Sequence, residues 1–181
     1  MSNVRFTNKA YLKRFSRRSA RLHEALEFYL KRLRCYSLSK DIDIKLSCAD
    51  LGENGWIASC QHTKLDLNKK KTKAKIYEIK IQINTNSEAV PNAREMYSAL
   101  AHECVHFKQY VKKELLYIYG KKNGITRTKY IIWKGEKKTE KQWKTFVNGF
   151  YAHYPWEREA FAKERVLLEA FLASTRETAQ S

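Results

Sequence analysis

Glycine and proline are scarce, with six and two in 181 residues. This excludes a flexible linker, a proline-rich tract or a low-complexity stretch that would divide the chain, so residues 1–181 are expected to form one domain. Long apolar runs are also missing. The longest is Leu115 to Tyr119, against the roughly 18 residues needed to cross a bilayer, and the first thirty residues contain no signal-like apolar stretch. The expectation is a protein with no membrane segment and an intracellular, cytoplasmic location. No Cys-x-x-Cys pair occurs among Cys35, Cys48, Cys60 and Cys104, which excludes a zinc knuckle or a disulfide framework and favours reduced thiols.

Acidic residues are the minority. Nineteen Asp and Glu face 36 Lys and Arg, a formal charge of +17 that draws polyanions and makes nucleic acid a candidate partner. A composition rich in Lys, Ile, Asn and Tyr also fits AT-rich coding, so charge alone does not decide. The charge is densest in residues 1–21, where Arg5, Lys9, Lys13, Arg14, Arg17, Arg18 and Arg21 occur without an acidic residue. They read as a basic arm suited to phosphate contacts, running into an amphipathic helix marked by Leu22, Leu26, Tyr29 and Leu33.

What is present in quantity is apolar and aromatic material, 43% and 13%, enough for a real core. Alternation at Ile42, Ile44, Leu46 and Cys48 predicts a strand, and a second is expected from Trp56 to Lys64. A third follows over 76–84, where Tyr77, Ile79, Ile81 and Ile83 alternate with polar residues. The lysine-rich segment 68–75 reads as an exposed hairpin loop. Asn92 and Glu95 resemble a capping box, and the spacing of Met96, Leu100, Cys104, Phe107 and Val111 predicts a helix over 92–120 that Gly120 stops. A strand or hairpin is expected over 125–133, ending at Lys134-Gly135. A final helix starts near Pro155 with Trp156, Ala160, Val166, Leu167 and Phe171, and its tail from Ser174 should fray.

The chemistry concentrates in Ala101-His102-Glu103-Cys104-Val105-His106. Histidines four apart lie one above the other on a helix, so both can reach one ion, for which zinc suits imidazole and carboxylate ligands. Glu103 sits beside them, where it can take a proton from water and return it to a leaving amine. A catalytic zinc takes three protein ligands, and His153, Glu157 and Glu159 are the candidates for the third. Glu157 has the best claim, because Pro155-Trp156-Glu157-Arg158-Glu159-Ala160 opens a helix and places a small residue behind the carboxylate. Glu159 falls well round that helix, toward a salt bridge or a histidine's other nitrogen. Tyr130, Tyr151 and Tyr154 are candidates for stabilising an oxyanion.

The segments His-Glu-Cys-Val-His-Phe-Lys-Gln at 102–109, Trp133-Lys134-Gly135 and Tyr154 to Ala160 together resemble the small zinc metallopeptidases of phages and other viruses. These are similar to gluzincins and share a Glu-x-x-Ala element with ImmA/IrrE-type peptidases. The resemblance covers roughly residues 75–165. It implies zinc held by His102, His106 and Glu157, with Glu103 as general base; the reaction expected of zinc with Glu103 is peptide-bond hydrolysis, on a protein or peptide substrate. The Glu-x-x-x-Asp element of larger gluzincins is absent, since Phe161 stands four residues after Glu157, so the partner orienting a histidine is unassigned. The expected fold is α+β: a short, mostly antiparallel sheet packed on the 92–120 helix, zincin-like, with strand 76–84 edging a cleft and the last helix crossing beneath the metal. Three alternatives stand beside this reading: a DNA-associated protease resembling the SprT type, a non-catalytic nucleic-acid-binding module with a structural metal, and a metal-dependent amidase.

Overall fold

The structure is a computed structural model in which residues 4–6, 16–49, 58–67, 74–84, 93–122 and 125–178 are described. It is α+β; the described residues form four α-helices and two small sheets, and among them antiparallel pairings outnumber parallel ones. Strands β1 (Val4–Phe6), β2 (Asp43–Ala49), β3 (Ala58–Leu67) and β4 (Ala74–Asn84) form one sheet in the order β1-β2-β4-β3. Strands β5 (Leu115–Lys122), β6 (Ile125–Trp133) and β7 (Glu136–Lys138) form the other. The helices are α1 (Ser16–Arg32), α2 (Ala93–Val111), α3 (Glu140–Phe146) and α4 (Pro155–Thr178).

The first sheet follows from period-two patterning. Ile42, Ile44 and Leu46 meet Ile79, Ile81 and Ile83 in one buried layer, while Lys45 and Glu78 form an ion pair at 2.8 Å. Because β2 and β4 pair in parallel, β4 lies inside the sheet and β3 takes the edge. The edge strand beside the cleft is therefore β3, while the 76–84 strand that the sequence pattern put at the edge lies inside the sheet and lends the cleft Gln82. Part of the expected basic arm is built into the fold, since Val4–Phe6 pair with Ile44 to Leu46 and helix α1 begins at Ser16. The arm's phosphate contact falls mostly on residues outside those described, as do Asn92 of the expected capping box and 68–73 of the lysine-rich loop. Ala74 and Lys75 belong to β4.

Helix α2 is the centre of the molecule, packing on α1, α4, β3, β4 and β5. It is buried nearly all round, and its apolar stripe from Met96 to Phe107 joins a core to which α1 supplies Leu22, Leu26 and Tyr29, with Leu33 just past its end. Phe171 of α4 closes this core, with ring centroids 5.6 Å from Phe28, 5.7 Å from Tyr29 and 5.2 Å from Tyr97. Cys35, Cys60 and Cys104 are buried free thiols in it. The side chain of Cys48 is outside the described set.

The helix expected over 92–120 stops at Val111. The amide of Glu114 donates to the Gln109 carbonyl at 2.7 Å and that of Lys113 to Tyr110 at 2.9 Å, a Schellman closure with Lys113 at φ 59°. The sequence pattern missed it because the left-handed residue is lysine rather than glycine. Leu115 to Tyr119 then pair with β6 as a strand, which puts Leu115, Tyr117 and Tyr119 on one face. Gly120 lies inside that strand. Helix α1 ends in the same way at Arg34, φ 53°.

The second sheet is a platform for the start of α4. The β6–β7 turn is Lys134-Gly135, both at positive φ, as a two-residue hairpin requires. Helix α3, which the sequence pattern did not reveal, is opened by a capping box between Thr139 and Gln142. It buries Trp143, whose indole donates to the Ile131 carbonyl at 3.1 Å. Trp156 packs on Trp143 and Trp133, at 5.3 and 6.0 Å, and stacks on Tyr154 at 4.6 Å. That aromatic cluster fixes where Glu157 begins. Helix α4 continues to Thr178 rather than fraying at Ser174, and Val166 faces solvent at 69% exposure instead of joining the core.

The two non-glycine Schellman residues give a stability test. Left-handed backbone costs an L-residue roughly 1 kcal/mol that glycine avoids, offset in part by glycine's freer unfolded chain. Lys113→Gly, at an exposed position, should raise unfolding free energy by about 0.5–1 kcal/mol in urea titrations, and Arg34→Gly should add to it. Destabilisation by either change would contradict the assigned closures.

Candidate functional site

One side of α2 carries Glu95, Ser98, His102 and His106 along a single stripe facing a cleft of about 920 Å³. The opposite wall comes from α4, through Glu157, Phe161 and Glu164, and the remaining walls come from β3, β5 and Tyr151, with Gln82 of β4 and Thr128 of β6. Nε2 of His102 lies 3.2 Å from Nε2 of His106, and Oε2 of Glu157 lies 3.2 Å from the first and 3.3 Å from the second. These three atoms make a nearly equilateral triangle.

Each group in the triangle is held from behind. Nδ1 of His102 donates to Oε2 of Glu164 at 3.1 Å, and Oε1 of Glu164 accepts from the Ser98 hydroxyl at 2.5 Å. Nδ1 of His106 donates to Oε1 of Gln109 at 2.9 Å, while Nε2 of Gln109 donates to the Trp156 carbonyl at 3.0 Å. The Tyr151 hydroxyl donates to Oε1 of Glu157 at 2.6 Å. With the Nδ1 protons directed at Glu164 and Gln109, the Nε2 lone pairs of both neutral rings are aimed at each other and at a carboxylate oxygen.

Such a donor set requires positive charge between its members, either protons or a metal ion. Without a metal, burial alone would lower the His102 pKa, but hydrogen bonds to Glu157 and Glu164 outweigh it and raise it to about 9. His106 is likewise raised, burial being outweighed by Glu157. Burial would raise Glu157, yet its hydrogen bonds to both histidines and Tyr151 hold it down at about 2. A tetrahedral zinc with ligands at about 2.0–2.1 Å separates neighbouring ligand atoms by about 3.3–3.4 Å, close to the edges of this triangle. His102, His106 and Glu157 could therefore hold one such ion with little movement.

Glu103 follows His102 on the helix and lines the same cleft. It is almost fully buried, which raises its pKa to about 7 against the opposing pull of the two imidazoles. The structure brings together all four residues of the sequence-derived site. The competing third ligands lie elsewhere. Glu159 turns away and accepts from Lys108 at 2.7 Å and Lys163 at 2.6 Å, locking the end of α2 to α4. His153 is exposed, its ring against Phe150. Of the three tyrosines considered, Tyr151 reaches the cleft, Tyr154 stacks on Trp156, and Tyr130 carries Lys137 over its ring.

Glu164, Gln109, Tyr117 and Tyr119 were not singled out by the sequence pattern. Glu164 is seven residues after Glu157, two turns along the same face, and Gln109 is three after His106, so helical spacing contained the signal. Phe161, at the position where an aspartate was sought, instead lays its ring against His102, 4.6 Å between centroids. Tyr117 and Tyr119 were hidden because their strand read as helix. Comparison with protein-family models, with curated proteins and with solved structures finds no match to this chain.

The proton-loaded cluster makes metal-free stability depend on pH. Both His102 and Glu103 have folded pKa values raised above their ordinary 6.5 and 4.5. Each favours the folded state in its protonated form, so the contribution is full at low pH and lost as pH rises through the folded value. In chelator, unfolding free energy should fall from about pH 4.5 toward pH 9, and Glu103→Gln should flatten the portion below pH 7. A wild-type profile that rises over this range, measured by urea titration, would contradict the cluster's protonation.

Proposed function

We propose that this chain is a zinc-dependent peptidase, with His102, His106 and Glu157 as metal ligands and Glu103 as general base. The observation that carries this reading is the triangle of two imidazole nitrogens and one carboxylate oxygen with edges of 3.2–3.3 Å, facing a cleft beside a buried glutamate. The sequence resemblance to small viral zinc metallopeptidases of gluzincin type supports it, as does a helix-plus-sheet arrangement compatible with a minimal zincin.

Zinc, when bound, supplies Lewis acidity toward a scissile carbonyl. The chain's own residues do the rest. Glu164, Gln109 and Tyr151 keep the three ligands aimed inward, so little order has to be created when the ion enters. Glu103, with a pKa of about 7, suits a group that takes a proton from water and returns it to the departing amine near neutral pH. The β3 edge borders the cleft, so an extended peptide could add to it by backbone pairing and present its carbonyl to the cluster. No helix among the described residues is long and apolar enough to cross a membrane.

Elemental analysis after removal of loosely held ions tests the ligand set. Wild type and Glu159→Ala should retain one zinc per chain, and His106→Ala and Glu157→Ala should lose it. Glu164→Gln should weaken zinc affinity by about 10- to 100-fold through the misaimed His102 ring. Glu103→Gln should keep the metal but reduce hydrolysis of a peptide library by about 10²- to 10⁴-fold. A wild type that takes up no zinc on reconstitution removes the proposal.

A further inference from the structure

The second sheet has two faces of different chemistry. Its register places Leu115, Tyr117, Tyr119 and Thr128 on the face that lines the cleft, with Trp133 on the same side against Trp156. Period two turns Leu116, Ile118 and Gly120 of β5, Arg127, Tyr130 and Ile132 of β6, and Lys137 of β7 to the other face. The register shift between Ile118 and Tyr119 leaves Lys129 of β6 as an extra residue in the ladder. Its Cδ would stand 3.5 Å from a Cβ at Gly120, so the lysine stem crosses this outer face where β5 has no side chain.

Charge and burial fit that outer face to a polyanion. Arg127, Lys129 and Lys137 are exposed on it, and none of its described residues is acidic. The Lys137 ammonium lies 4.0 Å from the centroid of the Tyr130 ring and the Lys129 ammonium 5.5 Å, so two cations converge on one aromatic surface. Ile118, Tyr130 and Ile132 are half-buried, and none of the large apolar side chains exposed among the described residues stands here. A face that binds lipid needs apolar groups that insert, and this one offers none. Single-stranded nucleic acid has the complementary chemistry, since its bases stack on aromatic rings and its phosphates pair with lysine and arginine. A duplex hides its base faces and would use the cations without the ring.

We propose that the outer face of the β5-β6-β7 sheet binds single-stranded nucleic acid, with a base stacked on Tyr130 and the neighbouring phosphates held by Arg127, Lys129 and Lys137. As the base arrives, the two ammonium groups exchange the ring for phosphate oxygens, so neither loses a partner. The strand is held behind β5 and β6, and the cleft stays open on the opposite face of the same sheet. The inference is independent of the peptidase reading, because no residue of the histidine–glutamate cluster takes part in it.

The test is fluorescence anisotropy of the full chain with a labelled oligothymidylate of about twelve nucleotides, and with a duplex of equal length, across a salt series. Replacing Arg127, Lys129 and Lys137 together by glutamine should weaken single-strand binding about 30-fold and lower the slope of log affinity against log salt by about 2. A charge-matched control, Lys144→Gln with Arg165→Gln and Arg176→Gln, removes exposed cations from other surfaces and should weaken binding by no more than about threefold. Tyr130→Leu should weaken single-strand binding about tenfold and leave duplex binding unchanged, while Tyr130→Phe, which keeps the ring, should match wild type. Urea titration of every variant confirms that folded proteins are compared. No measurable single-strand binding, losses equal to the control's, a duplex bound as tightly as the single strand, or Tyr130→Phe as weak as Tyr130→Leu would each overturn the inference. Displacement of the oligonucleotide by polyglutamate at equal charge would also overturn it and assign the face to an acidic protein. Peptide hydrolysis and zinc uptake are read in neither arm, so failure here leaves the peptidase reading standing and failure there leaves this one.

Discussion

The contact on which the rest of this structure depends is the approach of the buried Glu157 carboxylate to two imidazoles on the wall of the cleft. Bringing a carboxylate and two ring nitrogens within 3.3 Å of one another is costly unless positive charge lies among them. Helices α2 and α4 therefore cannot dock as two greasy cylinders. Their interface carries His106, Glu157, Lys108 and Gln109 as buried polar groups, each with a partner supplied across or along the interface. The register between the helices is set by those pairings as much as by apolar area.

The two carboxylates at the start of α4 show how strongly position decides role. Glu157 and Glu159 differ by two residues, about 200° around a helix. The first faces two imidazoles and a tyrosine hydroxyl, and the second faces Lys108 and Lys163. Both are held at about pKa 2, so ionisation does not distinguish them. Geometry does, because lysine ammonium groups occupy Glu159 while imidazole lone pairs leave room for an ion at Glu157. The aromatic cluster of Trp133, Trp143, Tyr154 and Trp156 makes the difference stable by fixing the rotation of α4 at its first turn.

Charge is distributed with a similar division. The chain as a whole is strongly basic, and that composition points toward polyanions. The cleft is lined by glutamates and aromatics, so a polyanion held by the general surface would not be drawn into the site. Composition and site thus describe two different surfaces of one molecule, and the whole-chain charge is no guide to what enters the cleft.

Local periodicity determined a good deal. Alternation located β2 and β4, the break at Lys134-Gly135 ended β6 where a hairpin turns, and i, i+4 spacing alone placed His102 above His106. A backbone of fixed pitch makes such relations independent of everything distant. The end of α2 was not legible, because a lysine in left-handed backbone carries no compositional mark, and with it went the strand that brings Tyr117 and Tyr119 to the cleft. The sequence pattern favoured Glu157 over Glu159 and His153, but setting Glu157 against both imidazoles, pairing His102 with Glu164, and putting β3 rather than β4 at the edge all required tertiary structure. These contacts join residues 55 and 62 positions apart, or depend on a parallel pairing that no nearest-neighbour pattern encodes. The sequence by itself decided which residues share a helix face, and the docking of α4 on α2 decided what that face meets.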